Sequence, residues 1–368
     1  MIGPSQIISA REALLKVKHG ALVLDVRSEG EFAEASIPGF VNAPILNDEH
    51  RHKVGLCYKE QGQQAAIALG HQLVDPIKEK MVLNWQAHLA QQNPKLVTCW
   101  RGGLRSKTAC EWLGQAGVQA TRVEGGYKAL RQVLREELER SFELLVLTGL
   151  TGSGKTELLW QLEEDFVIDL EAMANHRGSA FGGFIQFSQP SQQTFENSMA
   201  LKTLAERTPF ICESESRMVG QCVLPAHFKA NMDSSKRVML ECTLPERVRR
   251  IHKEYVLDPL AGSPTEETWN QLFAQLSQNL IKVQRKLGGL RYQQIQSALA
   301  RPFLLRQSEL QYHEEWITSL LKDYYDPMYT HASERNRGQY VFKGQWQECY
   351  EYLTSCIVGW RARAHSGS

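Results

Sequence analysis

The fold of this chain is decided by an eight-residue stretch, Gly149-Leu150-Thr151-Gly152-Ser153-Gly154-Lys155-Thr156, which fits the pattern GxxxxGK[ST] in full. It follows an apolar run at residues 144–147 and opens a helix, which is the context that a phosphate-binding loop requires. The glycines let backbone N–H groups approach phosphate oxygens, the helix N-terminus faces them, and the lysine adds a positive charge. The predicted phosphate-binding residues are Gly149, Gly152, Ser153, Gly154, Lys155 and Thr156.

The motif predicts that the loop binds a phosphate group, but it does not identify the molecule that carries the phosphate. In nucleotide-hydrolysing proteins the loop threonine, here Thr156, holds Mg²⁺ together with a carboxylate that follows an apolar strand. Glu213 and Glu215 follow the apolar residues 210–212, and Asp169 follows another apolar run, so these three are the candidates. No motif that would recognise adenine or guanine is evident. The sequence therefore predicts a pyrophosphate cradle more firmly than an ATPase, with Mg²⁺ at Thr156 as an option and no metal site firmly assigned.

A second glycine-containing loop, Cys99-Trp100-Arg101-Gly102-Gly103-Leu104-Arg105-Ser106, also follows a predicted strand and precedes a predicted helix. A cysteine at a strand end lies at the edge of an α/β sheet where ligands bind. Inward-turned N–H groups and nearby cations favour a thiolate, the nucleophilic form of cysteine, so Cys99 is the predicted nucleophile. The predicted anion-binding residues of this loop are Arg101, Gly102, Gly103 and Arg105, and Lys107 adds further positive charge. A buried structural role is the alternative, which we favour for Cys110, Cys212 and Cys242.

The composition is that of a globular protein with more than one domain. The chain has 368 residues, of which 42% are hydrophobic and 23% charged, and its formal net charge is +1. These values exclude disordered, collagen-like and coiled-coil chains and a uniformly basic nucleic-acid-binding protein. No apolar run reaches the roughly 18 residues of a membrane span, no secretory signal is evident, and the eight cysteines form no CxxC pair. We expect a cytoplasmic protein with reduced thiols and no membrane contact.

Strand and helix signals alternate over residues 1–130, which predicts a parallel sheet in an α/β domain. A charged helix over about residues 127–141 separates this part from the strand before the phosphate loop. After that loop the pattern is again α/β, and from Ser263 it becomes helical. The predicted fold class is α/β, with a parallel-sheet domain at residues 1–138 and, at residues 139–368, a P-loop NTPase-like domain with a helical C-terminal part.

The first part of the chain resembles the rhodanese family. The shared elements occur in the same order and comprise Leu24-Asp25-Val26-Arg27, Ile37-Pro38-Gly39-Phe40-Val41-Asn42-Ala43, the Cys99 loop and Val123-Glu124-Gly125-Gly126-Tyr127. The resemblance spans roughly residues 5–135 and implies a rhodanese-like domain whose cysteine carries sulfur as a persulfide inside a ring of loop N–H groups. Residues 51–59 depart from the family pattern because they are more basic and aromatic. They include Cys57, a candidate resolving thiol for which packing is the favoured alternative.

A rhodanese-like module followed by a P-loop module resembles the bacterial tRNA 2-selenouridine synthases over nearly the whole chain. Further shared strings are Asp169-Leu170-Glu171, His176 to Gly182, Phe195-Glu196-Asn197, Glu213 to Arg217 and Tyr324 to Tyr329. The resemblance implies that the substrate is 2-thiouridine at wobble position 34 of the tRNAs for Lys, Glu and Gln. It also implies two steps, in which geranyl diphosphate alkylates the sulfur and selenophosphate then supplies selenium while the geranylthio group leaves.

The same resemblance implies roles for the two loops. The P-loop would take the diphosphate of the geranyl donor, Cys99 would carry selenium transiently, and the loop glycines with Arg105 would hold selenophosphate. Both donors are co-substrates, so no tightly bound cofactor is expected, and an enzyme that produces selenophosphate is a candidate transient partner. His176 and Arg177 are candidates for proton transfer and for clamping a phosphate, with a polar surface loop as the alternative. The tyrosines at 324–329 are candidates for stacking a base, with an aromatic packing corner as the alternative.

An acid-free stretch, residues 268–308, is the candidate contact for tRNA. It places six cations on a predicted helical segment without a compensating carboxylate. We predict that Arg285, Lys286 and Arg291 bind RNA phosphates, with a solvated helix face as the alternative.

Two other functions stay open on the sequence. One is a rhodanese sulfurtransferase fused to a nucleotide-hydrolysing P-loop domain, which would relay sulfur without RNA. The other is a noncatalytic phosphate sensor that docks on RNA. The sulfur relay differs from the tRNA-modifying function in two observations, copurification with tRNA and turnover of ATP. The phosphate sensor would be excluded if Cys99 formed a selenide or persulfide adduct that turns over.

Overall fold

A computed structural model of the chain describes residues 6–176, 188–206, 208–328 and 339–366. It divides into two compact units, formed by Met1–Arg140 with Pro190–Glu206 and by Ser141–Gln189 with Arg207–Ser368. The segment Pro190–Glu206, which the sequence analysis assigned to the second domain, thus belongs to the first unit. Within the described ranges, no helix has the length and apolar character needed to cross a membrane.

Short strands and longer helices alternate along the first unit, and the second unit adds a run of consecutive helices to its sheet. The strands are β1 (Gln6–Ile8), β2 (Val23–Asp25), β3 (Phe40–Asn42), β4 (Leu96–Thr98), β5 (Thr121–Val123), β6 (Leu144–Thr148), β7 (Val167–Ile168), β8 (Phe210–Glu213), β9 (Met218–Val219), β10 (Cys222–Val223), β11 (Lys236–Leu240) and β12 (Tyr340–Gly344). The helices are α1 (Ala10–Lys18), α2 (Glu29–Glu34), α3 (Asp48–Gln61), α4 (Gln63–Val74), α5 (Lys78–Leu89), α6 (Leu104–Gln115), α7 (Gly126–Leu138), α8 (Lys155–Gln161), α9 (Leu170–Ala174), α10 (Gln192–Thr203), α11 (Ala226–Ser234), α12 (Leu244–His252), α13 (Glu266–Leu287), α14 (Gly289–Leu304), α15 (Leu310–Leu320) and α16 (Trp346–Ser366). Helices α12 and α15 each continue into a π-helical turn, Lys253–Leu257 and Leu321–Tyr325 respectively.

The first unit contains a parallel sheet with the strand order β1-β5-β4-β2-β3. Strands β2 and β4 lie inside it and are buried at every residue, as expected for a parallel sheet covered on both faces. One face packs against α1 and α7 through Leu14 and Leu130, and the other packs against α5 and α6 through Trp85 and Leu113. This arrangement confirms the predicted parallel α/β architecture and brings the loop after β4 to the carboxyl edge of the sheet.

Helix α10 packs in the first unit through specific polar contacts as well as apolar ones. The amide of Asn197, which is fully buried, donates to the hydroxyl of Tyr127 (3.1 Å) and to the carbonyl of Ser36 (2.7 Å). Arg131 of α7 forms an ion pair with Glu196. A buried polar group without partners costs about 1–3 kcal/mol, so these contacts fix the position of α10 in the first unit.

The second unit is built on a parallel sheet with the strand order β12-β11-β6-β8-β7. Strand β6 is buried at every residue and leads directly into the phosphate loop. Helices α8 and α16 contribute Leu158, Leu353 and Trp360 to the core beside the sheet. The phosphate loop therefore lies at the carboxyl edge of a central strand, which is where α/β sheets bind ligands.

Helices α12 to α15 form a helical region with its own apolar core, which includes Trp269, Leu280 and Trp316. Helix α13 begins after the N-cap Thr265, whose hydroxyl accepts from the N–H of Thr268. It ends at Gly288, whose φ of 78° lets the chain turn directly into α14. The predicted helical C-terminal part is confirmed.

Candidate active sites

Cys99 lies directly after β4, at the carboxyl edge of the first sheet, and is 3% exposed. Its thiol donates to the hydroxyl of Ser106 (3.2 Å), which in turn donates to the carbonyl of Gly103 (3.2 Å). Gly102 has a φ of 62°, a left-handed conformation that favours glycine. Helix α6 begins at Leu104, immediately after the loop. The structure therefore brings the cysteine, the two glycines and a helix N-terminus together, in the order in which they occur in the sequence.

The turn between β5 and α7 fixes the loop that carries Cys99. A Cβ atom at Gly126 would lie 2.2 Å from the carbonyl oxygen of Cys99 and 2.3 Å from the backbone nitrogen of Gly102, so a side chain does not fit there. The N–H of Tyr127 donates to the same carbonyl (2.8 Å), and its ring stacks on Trp100 with centroids 5.5 Å apart. The paired glycines before Tyr127 thus allow two loops that are distant in sequence to pack backbone to backbone.

Arg105, predicted to hold an anion, is already engaged by a carboxylate. Its guanidinium donates to both oxygens of Glu31, at 2.6 and 3.1 Å, and Arg51 approaches the same carboxylate at 3.3 Å. Burial alone would raise the pKa of Glu31, but the hydrogen bonds and charge of Arg105 outweigh it and lower the pKa to about 2. The charge of Arg105 is therefore largely compensated at neutral pH, whereas Arg101 is exposed to solvent.

Arg122, a residue of β5 that no sequence motif indicated, reaches the Cys99 loop with its side chain. Its Nη1 donates to the carbonyl of Gly102 (2.6 Å), and its Nε is buried and has no hydrogen-bond partner among the described residues. Arg122 directly precedes the shared string that starts at Val123, so no motif pointed to it. Its guanidinium adds a positive charge and a direct support to the loop.

Other cysteines differ from Cys99 in their surroundings. Burial raises the pKa of Cys110 and of Cys212 to about 12, so both are neutral thiols at physiological pH. Burial also raises the pKa of Cys242. Cys57 is buried in α3. The environments of Cys57, Cys110 and Cys212 fit the predicted packing roles. Cys242 does not, because it is only partly buried and its sulfur contacts Glu246 (3.5 Å) and Arg250 (3.3 Å).

The phosphate loop has the expected strand–loop–helix geometry. Gly152 and Gly154 have φ values of 79° and 91°, which other residues rarely adopt. Lys155 is 9% exposed, and its ammonium group donates to the carbonyl of Gly149 (3.1 Å). The hydroxyl oxygen of Ser153 is buried without a hydrogen-bond partner in the described part of the chain. Such a group is costly to leave unpaired, and a phosphate oxygen bound in the loop would satisfy it.

Three carboxylates meet beside Thr156. Oxygens of Glu171, Glu213 and Glu215 lie within 4.8 Å of one another, and the hydroxyl of Thr156 donates to Glu171 (3.3 Å). Burial and the charge of Glu171 raise the pKa of Glu215 to about 7 and that of Glu213 well above its usual range. One oxygen of Glu213 is buried and has no partner among the described residues. Because Mg²⁺ prefers carboxylate and hydroxyl oxygens, this cluster fits a magnesium ion.

Asp169, the other predicted carboxylate, has a different position. It caps α9 by accepting from the N–H of Ala172 (2.9 Å), and it also accepts from the indole N–H of Trp160 (2.9 Å). Glu171, two residues later, lies beside Thr156 instead. The string Asp169-Leu170-Glu171 therefore contains the residue that lies beside the phosphate loop. That residue is Glu171, because Asp169 is the N-cap of α9.

A cavity of about 910 Å³ opens over the phosphate loop and the acidic cluster. Its lining combines cations with apolar and aromatic side chains, among them Lys229, Arg250, Lys253, Lys343, Leu150, Met239, Tyr255, Tyr324, Tyr325 and Met328. A Cβ atom at Gly154 would lie 2.8 Å from Nε of Arg250, which Glu157 holds in place (2.9 Å). Arg250 was not found from the sequence because it lies almost a hundred residues beyond the loop. The cavity is within the range of roughly 300–1,000 Å³ that is typical of small-molecule sites.

Of the other predicted site residues, two tyrosines line this cavity. Tyr324 and Tyr325 line the cavity, are 7% and 6% exposed, and pack edge to face with centroids 4.9 Å apart. They therefore form both a packing corner and a wall of the site. His176 is partly buried and follows α9, while Arg177 and Tyr329 lie outside the described residues.

Arg285, Lys286 and Arg291 flank the turn between α13 and α14, and all three are exposed. The ammonium group of Lys286 lies 5.8 Å from the ring centroid of Tyr324. Within the described ranges, none of the three forms an ion pair with a carboxylate. We call this group the basic hairpin. It offers uncompensated positive charge to a phosphate backbone.

Comparisons with known proteins identify the two halves of the chain. Residues 9–132 match the model of the rhodanese-like domain, and residues 142–358 match that of the tRNA 2-selenouridine synthase AAA domain. Proteins named tRNA 2-selenouridine synthase are similar over most of the chain. The relative from Pseudomonas entomophila is 41% identical over 90% of this chain and 92% of its own length, and that from Bordetella bronchiseptica is 43% identical over 90% and 94%. That from Shewanella frigidimarina is 36% identical over 95% and 98%. The resemblance inferred from the sequence is confirmed, and the chain belongs to the tRNA 2-selenouridine synthase family.

Proposed function

We propose that this chain is an enzyme that converts 2-thiouridine at wobble position 34 of tRNA into 2-selenouridine. One observation carries the proposal. A single chain of this family holds a cysteine loop and a phosphate cradle, each at the carboxyl edge of its own parallel sheet. The relatives' shared name identifies tRNA as the macromolecule on which they act. The proposed substrates are the tRNAs for Lys, Glu and Gln that carry the 2-thiouridine.

The second unit is proposed to transfer the geranyl group of geranyl diphosphate to the sulfur of 2-thiouridine. In this step the allylic C–O bond breaks, a C–S bond forms and pyrophosphate leaves. Lys155 and the hydroxyl of Ser153 are proposed to stabilise the negative charge of that leaving group; the buried, unpaired hydroxyl of Ser153 supports this role. The cavity of about 910 Å³ supports the assignment because it joins the polar cradle to apolar and aromatic walls.

The first unit is proposed to deliver selenium in the second step. Selenophosphate is the proposed donor, and Cys99 is the proposed nucleophile. Its thiolate attacks phosphorus, the P–Se bond breaks and selenide leaves; the selenide then attacks C2 of the alkylated uridine as geranylthiol departs, and water releases phosphate from the cysteine. Alkylation makes the sulfur a better leaving group, because it departs as a neutral thiol. Arg101, Gly102 and Gly103 are proposed to hold the donor anion. Arg105 contributes less than the resemblance implies, because Glu31 compensates its charge.

Mg²⁺ is proposed to bind at Thr156 with the acidic cluster of Glu171, Glu213 and Glu215. The fit rests on the close approach of the three carboxylates and on the buried, unpaired oxygen of Glu213. When bound, the ion would neutralise negative charge on a diphosphate. No tightly bound cofactor is proposed, and an enzyme that makes selenophosphate is the proposed transient protein partner.

The acidic cluster also favours a second candidate function. Carboxylates beside the loop threonine are the arrangement that nucleotide-hydrolysing P-loop proteins use to hold Mg²⁺. In that case the chain would be a rhodanese sulfurtransferase that relays sulfur at the expense of ATP, without RNA. Turnover of ATP in the absence of tRNA is the observation that would favour it.

Mass spectrometry of wobble nucleosides tests the main proposal. The chain is incubated with thiolated tRNA, geranyl diphosphate and selenophosphate, and the tRNA is then digested. We expect S-geranyl-2-thiouridine when selenophosphate is omitted and 2-selenouridine when both donors are present. Absence of both products from a folded protein would contradict the proposal, and ATP hydrolysis in the same sample would support the sulfur relay.

A further inference from the structure

An apolar recess adjoins the phosphate loop in the second unit and has a volume of about 20 Å³. It lies among residues of α12, α15 and the π-helical turns that follow them. Thr151 of the phosphate loop, Ile251, Tyr255 and Tyr325 line both the recess and the larger cavity. The recess is therefore a side branch of the site that contains the phosphate cradle.

The walls of the recess are almost entirely apolar and buried. Ile317 and Leu321 are 1% and 0% exposed and belong to the core of the helical region. Protein cores are close-packed and contain few voids larger than a water molecule, so an open recess beside a ligand site is a feature to explain. The π-helical turns place Tyr255 and Tyr325 on its wall. Such turns occur frequently at functional sites.

The polar cradle and the apolar recess lie next to each other along the loop. A Cβ atom at Gly152 would be 3.0 Å from Cδ1 of Ile251, a wall residue of the recess. The next residue, Ser153, carries the buried hydroxyl that has no partner among the described residues, and Lys155 supplies a positive charge. A ligand that satisfies both surfaces has a phosphate head and a hydrocarbon tail. A nucleoside base would instead bring hydrogen-bonding groups against Ile317 and Leu321.

We propose that this recess receives the end of the hydrocarbon tail of a diphosphate ester held by the phosphate loop, and that it thereby limits tail length. The inference rests on the proposed geranyl transfer and adds the residues that select the donor. A volume of about 20 Å³ corresponds to one or two small groups, since a single water needs about 10–15 Å³ by the same kind of measure. The branched end of a short isoprenoid fits this space, and a further isoprene unit does not.

Enlarging the recess is the first test. Ile317→Ala removes a wall, and Ile295→Ala is the matched control because Ile295 lies in the same core at 2% exposure but does not line the recess. We compare kcat/KM for geranyl diphosphate and for the longer farnesyl diphosphate, with thiolated tRNA as acceptor. Ile317→Ala should shift the ratio towards farnesyl diphosphate by about tenfold, the lower end of the effect of one methylene in an apolar pocket. An equal shift in both variants, or no shift in Ile317→Ala, would show that the recess is only a packing defect.

Filling the recess is the second test, and it needs no transfer step. Calorimetry measures the binding of geranyl diphosphate and of inorganic pyrophosphate to the full chain and to its Ile317→Phe variant. The variant should bind geranyl diphosphate about tenfold more weakly and pyrophosphate as before. If the wild type geranylates tRNA and Ile317→Phe leaves both affinities unchanged, the recess assignment fails alone. If the wild type geranylates no tRNA but binds geranyl diphosphate more tightly than pyrophosphate, and Ile317→Phe loses that difference, the transfer step fails and the recess assignment stands.

Discussion

The buried cysteines of this chain differ in their surroundings, and these differences distinguish the proposed reactive cysteine from the structural ones. Burial raises the pKa of Cys110 and Cys212 to about 12 and that of Cys349 to about 11, so these residues stay neutral thiols. Cys99 is equally buried, but it lies in a loop whose glycine backbone and following helix N-terminus supply positive potential. The difference that matters for chemistry is therefore the neighbourhood of the sulfur and not its exposure.

Cys99→Ser tests the residue at the centre of the first site. Serine keeps the shape of the side chain but lacks the soft nucleophile that the proposed selenium step needs. The variant should still form S-geranyl-2-thiouridine and accumulate it, while 2-selenouridine disappears from the nucleoside mass spectrum. Cys57→Ser is the control and should retain both products, because Cys57 packs within α3. Loss of geranylation in Cys99→Ser would contradict the proposed division of labour between the two units.

At the scale of elements, the basic hairpin between α13 and α14 is the candidate tRNA contact. Replacing Arg285, Lys286 and Arg291 by Gln removes exposed charges that no acid compensates within the described ranges. The variant should bind tRNA more weakly, and its affinity should depend less on salt, by about 0.7–0.9 in log–log slope per lost phosphate contact. Arg306→Gln is the matched control, because Arg306 lies in the same acid-free stretch but pairs with Glu266 (2.9 Å). An unchanged salt slope in the triple variant would exclude this surface.

Helix α15 carries a buried imidazole that should make the helical region sensitive to acid. Burial lowers the pKa of His313 to about 4 from an ordinary 6.5. The hydrogen bond to the carbonyl of Gln307 raises this pKa, the charge of His252 lowers it further, and the charge of Glu309 raises it. The folded state therefore holds His313 neutral. Its contribution to stability is complete above pH 6.5 and is lost as the pH falls from 6.5 through 4, because only the unfolded state takes up the proton. The loss is on the order of 3 kcal/mol.

Amide hydrogen exchange of α15 between pH 7 and pH 4 measures this effect, after correction for the intrinsic pH dependence of exchange. The protection of α15 should fall with pH in the wild type and should fall less in His313→Gln, which cannot titrate. Trp316→Phe is the control: it removes the hydrogen bond from the indole to His313 (3.1 Å) but keeps the imidazole. It should weaken protection at every pH and retain the pH dependence. An identical pH profile in wild type and His313→Gln would contradict the assignment.

For the molecule as a whole, the features that could be predicted from the sequence are those formed by residues adjacent in the chain. The strand–loop–helix units around Cys99 and Lys155 were predictable because their glycines, strand and helix signals are adjacent in the chain. Three site residues were not predicted, because the fold brings them to the loops. Arg122 depends on the register of β5, Glu171 on the start of α9, and Arg250 on the packing of the distant helix α12. The assignment of α10 to the first unit depends on buried contacts such as that of Asn197 with Tyr127, which no local pattern encodes.

The presence of two sites in one chain raises the question of whether the two chemical steps depend on each other. If the second unit only transfers the geranyl group, its phosphate loop is needed until pyrophosphate has left and not afterwards. If it instead hydrolyses a nucleotide, the loop is needed throughout. Lys155 is the residue that separates these cases, because its contact with a departing pyrophosphate would strengthen as the C–O bond breaks.

Lys155→Ala should therefore lower the rate of geranyl transfer to thiolated tRNA by about 10²–10³. Lys155→Arg should not restore it fully, because guanidinium is a planar fork and not a compact point charge. The decisive assay supplies pre-geranylated tRNA and selenophosphate to Lys155→Ala with no nucleotide present, and follows 2-selenouridine by mass spectrometry. We expect wild-type selenation, since that step releases no pyrophosphate. Loss of selenation in a variant that keeps its circular dichroism spectrum would contradict the diphosphate-donor assignment and favour the nucleotide-hydrolysing alternative, in which both steps fail together.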